Sequence, residues 1–269
     1  MGGMDSEMAP MGRQVSRRRS SAWRVALTGC AAGLAIGVVL FPLDGPIESL
    51  ARGIRGAMGG DVVRELEALQ QFGQGAFIVL IAWAIWLLDP PRRRRLLDWG
   101  LGIAILNAMV LPMKMLVGRP RPAVGEPGYF LGPFGAHPFP DADPPGVYHA
   151  WDLAAPISSE LWSMPSSHTA HAVLAAVFLG LLYPRLRPLL IAMACLVGVA
   201  RMLFGAHYAS DVAVGAGLGW AVGLVSTRRF LGVRALDAVW RACVDRRAAP
   251  AFPAALRLER DRDDRAATA

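Results

Sequence analysis

A chain of 269 residues could hold one large or two small soluble domains, but 54% of the residues are hydrophobic and they fall in long blocks, so the expected solvent is a bilayer. The formal charge of +7 does not argue for nucleic acid: the Lys and Arg residues sit between the apolar blocks, and no aromatic-interleaved basic domain accompanies them. Alternation suited to barrel strands is absent from the blocks, which leaves helices as the economical way to pair backbone groups in lipid.

Residues 1–22 are polar and rich in Arg and Ser, a composition expected to be disordered. Apolar blocks follow at Val25 to Phe41, Phe72 to Leu88, Leu96 to Val117, Ala172 to Tyr183, Leu189 to Phe204 and, richer in Gly and Ala, Val212 to Val225. Each extends through its flanks to about 20 residues, the length that crosses the hydrocarbon. The expected fold class is all-α, a polytopic membrane protein with about six transmembrane helices over residues 23–228 and a charged cytoplasmic tail over 229–269. Leu27-Thr28-Gly29-Cys30 looks like a lipoprotein cleavage box, but the apolar run before it is too short for a signal core, so an uncleaved span is expected. Pro46 to Met58 places Ile47, Leu50, Ala51, Ile54 and Met58 at helical spacing opposite Arg52 and Arg55, as in a helix lying on the outer interface. Asp61 is the expected N-cap of a second helix that runs to Leu88 and stops at Asp89-Pro90-Pro91.

Basic residues mark every second connection: Arg17 to Arg19 and Arg24 before the first span, Arg92 to Arg95 after the second, Arg185 and Arg187 after the fourth, Arg228, Arg229 and Arg234 after the sixth. The positive-inside rule then places both termini in the cytoplasm and the chain in the inner (plasma) membrane, with the other connections facing the periplasm. The longest of these, residues 118–162, is rich in Pro and Gly and carries His137 and His149. A loop of this length serves as a lid or lipid entrance, or is a surface excursion without chemistry. Trp99, Trp151, Trp162 and Tyr208 suit an interfacial aromatic belt. Cys30, Cys195 and Cys243 form no pair suited to a disulfide or metal, and the Gly215-Ala216-Gly217-Gly219 run fits close helix packing.

Three stretches lie where outward loops meet helices: Lys114 through Arg121-Pro122, Pro165-Ser166-Ser167-His168, and Arg201 through His207 to Asp211. Charged groups at membrane depth are costly and usually functional. Lys114, Arg121 and Arg201 supply three cations for the spread negative charge of a phosphoryl group. Ser166 and Ser167 lead into the fourth span, where backbone N–H groups at the positive end of a helix dipole make an anion seat. His207 and Asp211 are four apart, so the carboxylate can hold the imidazole Nδ1–H and leave Nε2 free to attack. His168 is placed to protonate the leaving oxygen. The scheme calls for no metal and no cofactor. Arg119 either aids phosphate or anchors to head groups, and His171, one turn after His168, is a weaker candidate.

This pattern resembles the type 2 phosphatidic acid phosphatase superfamily, and the six-span layout is similar to its bacterial membrane branch, which includes undecaprenyl-diphosphatases and phosphatidylglycerophosphatases. The resemblance implies metal-independent hydrolysis of a membrane lipid phosphate or diphosphate through a phosphohistidine on His207, with Lys114, Arg121, Ser166, Ser167 and Arg201 on the phosphate, His168 as acid and Asp211 as orienting partner. Two positions depart from the family: Ser167 stands where Gly is usual, and Ala200 where Ser is usual. A Cβ at Ser167 is expected to strain a loop that wants a glycine-only conformation. Two other readings fit parts of the pattern, a phosphotransferase to a lipid or sugar acceptor and a non-catalytic transporter or scaffold that merely binds phosphate.

Overall fold

The computed structural model describes residues 10–257. Helix α1 (Pro10–Leu40) passes through a short 3-10 turn into α2 (Asp44–Ala57), followed by α3 (Gly60–Leu69), α4 (Gly75–Leu88), α5 (Leu96–Val117), α6 (Ser167–Leu182), α7 (Arg187–Leu203), α8 (Ala209–Arg228) and α9 (Leu231–Cys243). The one sheet among the described residues is an antiparallel hairpin, β1 (Ala136–Phe139) with β2 (Gly146–His149), in the long loop.

Among the described residues, Ala22–Ala57, Pro90–Val117, Pro184–Leu203 and Ala209–Arg228 are helical stretches long and apolar enough to cross a bilayer. Helices α4 and α6 are as apolar but shorter, 14 and 16 residues, which at ~1.5 Å per residue falls short of the ~30 Å hydrocarbon. The helix expected from Asp61 to Leu88 is two helices. Gly73 (φ 83°) turns the chain between α3 and α4, and a Cβ there would stand 2.8 Å from the His171 carbonyl oxygen. Gly59, not Asp61, is the N-cap of α3. Helix α1 starts inside the stretch expected to be disordered; Arg is a good helix former and the apolar span extends naturally backward through it. The rest of that stretch, residues 1–9, lies outside the described residues, as do 258–269 of the tail.

Helix α8 is the hub and touches α1, α2, α5, α6, α7 and α9. Its small residues make this possible: a Cβ on Gly215 would lie 2.4 Å from the Ser166 oxygen, and one on Gly219 would lie 2.1 Å from the Ala170 oxygen. These two glycines are four apart and so share a face, along which the α6 backbone lies directly on α8. Trp99, expected at the interface, is instead 2% exposed and stacked on Phe178 with ring centroids 5.2 Å apart.

Four helices have a chemistry-bearing end and an arginine end. Helix α5 runs from Arg95 to Lys114, α6 from His168 toward Arg185, α7 from Arg187 to Arg201, and α8 from Asp211 to Arg228. At the arginine end, Asp98 is buried against Arg95, and its Oδ1 accepts the N–H groups of Gly232 (2.7 Å) and Val233 (3.1 Å), docking the start of α9.

Candidate active site

The cluster is assembled from the end of α5, the return arm of the long loop and the starts of α6 and α8. The loop is tied into it: Lys114 Nζ donates to the Trp162 carbonyl, the Arg121 N–H donates to the Glu160 carbonyl at 2.8 Å, and the Ser163 N–H donates to the Arg119 carbonyl at 2.9 Å. The hairpin carries its own small core of Phe139, Ala150 and Leu161. His137 and His149 sit on that hairpin, and His149 Nδ1 faces the Gly135 carbonyl.

His207 lies in the short link between α7 and α8 and is 2% exposed. Its Nδ1 is 2.6 Å from the Ser163 carbonyl oxygen. A carbonyl can only accept, so Nδ1 carries the proton and Nε2 keeps its lone pair. Burial, together with Lys114, Arg201 and Arg121 nearby, holds the His207 pKa well below the ordinary histidine value. The ring is therefore neutral at physiological pH, the form in which it can attack.

Asp211, expected to grip Nδ1, is 4.0 Å from it. Its Oδ2 accepts instead from Ser163 Oγ at 2.5 Å and from the Tyr208 N–H at 2.9 Å, and its Oδ1 accepts from Arg119 at 2.6 Å. The carboxylate thus caps α8 and fixes the residue whose carbonyl orients the histidine. The four-residue spacing does put His207 near Asp211. It does not make the bond, because His207 precedes the helix and Asp211 is its third residue.

Arg119 neither faces a phosphate seat nor anchors to head groups. It is wholly buried, bridging Asp211, Asp44 (2.7 Å), Ser210 Oγ (2.8 Å) and the Pro127 carbonyl (2.6 Å), with Tyr208 stacked at 4.1 Å. Asp44 also accepts the Ser210 N–H at 2.9 Å, which locks the start of α2 to the start of α8. Tyr208, expected in an aromatic belt, is buried, donates its hydroxyl to the Gly125 carbonyl at 2.8 Å, and has its pKa pushed up to about 12, chiefly by burial. Asp44 and Ser163 had no motif to announce them. The signal for Asp44 was an acid directly after an apolar span.

Ser166 was expected on the phosphate, but its Oγ is the N-cap of α6, facing the Thr169 N–H at 3.5 Å and the Thr169 hydroxyl at 3.0 Å, and its own N–H donates to the Asp211 carbonyl at 3.1 Å. The open donors are one step on: the N–H groups of Ser167 and His168 belong to the first helical turn, where a helix supplies no acceptor. Ser167 is also free of the expected strain. It is a regular helical residue, and Phe230 is the non-glycine residue with positive φ among those described. Ala200 is wholly buried and presents no hydroxyl.

Lys114, Arg121 and Arg201 each lie within electrostatic reach of both His168 and His207. Arg201 Nη1 donates to Gln70 Oε1 at 3.0 Å, and Arg121 has Glu160 at 3.6 Å. Both guanidiniums keep a buried Nε with no acceptor among the described residues. Three cations, two open backbone donors and two histidines thus converge, with donors in surplus. His171 places its Nδ1 2.8 Å from the Ser167 carbonyl oxygen and lies within electrostatic reach of His168.

The fold and this cluster define a helical membrane protein with a cation-rich, histidine-bearing cluster at one end of its helices. The sequence profile of the PAP2 superfamily matches residues 95–234, and the chain belongs to that superfamily. The decaprenylphosphoryl-5-phosphoribose phosphatase of Mycobacterium tuberculosis, in strains CDC 1551 / Oshkosh and ATCC 25618 / H37Rv, is 31% identical over 160 residues, 58% of this chain and 74% of the relative. Among solved structures, LpxE from Aquifex aeolicus aligns with a TM-score of 0.47 at 22% identity, covering 66% of this chain and 92% of its own. The PAP2-type phosphatidylglycerolphosphate phosphatase from Bacillus subtilis aligns with a TM-score of 0.48 at 16% identity, covering 77% and 96%. The chain is a membrane phosphatase of this superfamily.

Proposed function

We propose that the enzyme removes the terminal phosphate from a lipid phosphate or diphosphate at the periplasmic face of the membrane, through a phosphohistidine on His207. The observation that carries this reading is the surplus of buried donors around a neutral histidine. Lys114, Arg121 and Arg201 surround it, and the Nε atoms of both arginines await an acceptor that a phosphate would supply.

In the first step, His207 Nε2 attacks phosphorus and the bond to the leaving oxygen breaks. Burial and Arg201 lower the His168 pKa in the free site, so the ring takes its proton from the incoming phosphate monoanion and passes it to that oxygen, while the cations with the Ser167 and His168 N–H groups hold the three equatorial oxygens. In the second step, water attacks phosphorus and the phosphorus–nitrogen bond breaks. His168 takes the water's proton, His207 leaves as neutral imidazole, and inorganic phosphate is released. The Ser163 carbonyl keeps Nδ1–H in place throughout.

The candidate substrates are an isoprenoid diphosphate, phosphatidylglycerophosphate and phosphatidate. The mycobacterial relative acts on a prenyl-linked phosphate, which favours the isoprenoid class. The outward orientation rests on the arginine ends of α5 to α8, all opposite the site. Phosphate release by detergent-purified protein, measured with EDTA present over a panel of these lipids, tests the proposal. Turnover that survives chelation and is lost in His207→Ala and His168→Ala is expected; absence of turnover by folded protein on every lipid would overturn it.

A further inference from the structure

Beside the cradle lies a pocket of about 280 Å³ that the proposed chemistry leaves unused. One wall is helix α2, with Glu48, Arg52 and Arg55; the opposite wall includes Pro122, which follows Arg121, and Phe204 and Gly205, which lie just beyond Arg201. The cradle arginines do not themselves line the pocket, but the loop that carries Arg121 and the helix end that carries Arg201 continue directly into its wall. Its volume is many times the ~30 Å³ share of one water, enough for a phosphate and the atoms that link it onward.

Its charge pattern is specific. Arg52 is committed to Glu48, donating Nε at 2.9 Å and Nη2 at 2.5 Å to one carboxylate oxygen. Arg55 is half-buried and has no carboxylate partner among the described residues; its guanidinium lies over the Phe204 ring, 5.4 Å from the centroid. That contact holds a forked cation without satisfying its N–H donors. Helix α2 exposes Leu50 and Ile54 on its other face, as a helix at the membrane surface does, so the pocket sits at the depth of a lipid head group.

We propose that this pocket is a second anion subsite, in which Arg55 binds a second phosphate of the same substrate molecule while its terminal phosphate occupies the cradle. The inference rests on the lipid-phosphatase reading above. The second phosphate is either the inner group of a lipid diphosphate or a phosphodiester joining a phosphorylated head group to the lipid. Glu48 tempers the subsite by neutralising Arg52, so Arg55 supplies most of the attraction.

The test is kcat/KM of the full-length enzyme in detergent on three lipids of one prenyl chain length: the monophosphate, the diphosphate, and a phosphodiester-linked pentose 5-phosphate. Arg55→Gln is expected to lower kcat/KM by about tenfold or more on one or both of the two-phosphate lipids, mainly through KM, and to leave the monophosphate within about twofold. The lipid that suffers identifies the source of the second phosphate. Glu48→Gln frees Arg52 and is expected to move the same ratio the opposite way. Equal losses on all three lipids, or no change in either variant while the wild type turns over, would overturn the subsite alone. No turnover of any lipid by the wild type would overturn the phosphatase reading beneath it.

Discussion

Arg119 donates to Asp211 across 2.6 Å with both side chains wholly shielded from solvent, and its other Nη reaches Asp44 at 2.7 Å. One guanidinium therefore bridges two buried carboxylates that lie 167 positions apart in the chain, joining α2 to α8 beside His207. Removing it leaves two uncompensated buried charges. Arg119→Leu is expected to destabilise the fold by about 3–5 kcal/mol. Asp44→Asn, which keeps the shape and leaves one carboxylate paired, should be milder. Thermal unfolding in detergent checks the order; an Arg119→Leu protein as stable as wild type would show that the network contributes nothing.

In the proposed mechanism His168 protonates the leaving alkoxide or phosphate. His168→Ala is expected to lose roughly 10²–10⁴-fold in kcat on a lipid substrate and far less on an aryl phosphate, whose phenolate leaves without protonation. His207→Ala should lose both activities alike. Equal losses for the two variants on both substrates would remove the acid role from His168.

Burial and the three cations depress the His207 pKa below its ordinary 6.5 in the folded protein. The unfolded chain then takes up a proton that the native state refuses, so this group's contribution to stability is full above about pH 6.5 and declines as pH falls below it. The wild type should lose Tm between neutral and mildly acidic pH, and His207→Gln should lose less over the same interval. A larger loss in the variant would mean that the ring is charged in the native state.

The face of α8 that meets α6 has no room for side chains. Gly219→Val is expected to force α6 away from α8 and to displace the Ser167 and His168 N–H groups with it, lowering kcat as well as stability by about 1–3 kcal/mol. Trp220→Phe, on the same helix at a position 41% exposed, serves as the control. Activity that survives in Gly219→Val would show that the α6–α8 contact does not position the seat.

The apolar blocks and the three motifs were legible because each is written in nearby residues: a helix announces its length through hydropathy, and Lys114, Arg121, His168, Arg201 and His207 stand at fixed local spacings. What escaped was long-range or made by backbone. The group that orients His207 is a carbonyl, and a carbonyl has no residue signature; Ser163 was therefore invisible as its owner. Asp44 and Gln70 meet Arg119 and Arg201 only after the chain has run out through α4 and back through α5. Arg119, beside Arg121 in the first motif, is held in a buried network whose partner Asp44 comes from α2, which sequence placed on the surface without saying what lay beneath. The break at Gly73 was hidden because one glycine in a helical pattern is usually tolerated.

In the proposed mechanism His207 carries the phosphoryl group. The direct measurement is to mix the enzyme with lipid substrate bearing a ³²P-labelled terminal phosphate, quench in alkali within the first turnovers, and locate the label by peptide mass spectrometry. A phosphorus–nitrogen bond survives alkali and breaks in acid, so alkali-stable, acid-labile label is expected on the peptide containing His207 and none in His207→Ala. Acid-stable label on a serine peptide, or turnover by His207→Ala, would contradict it.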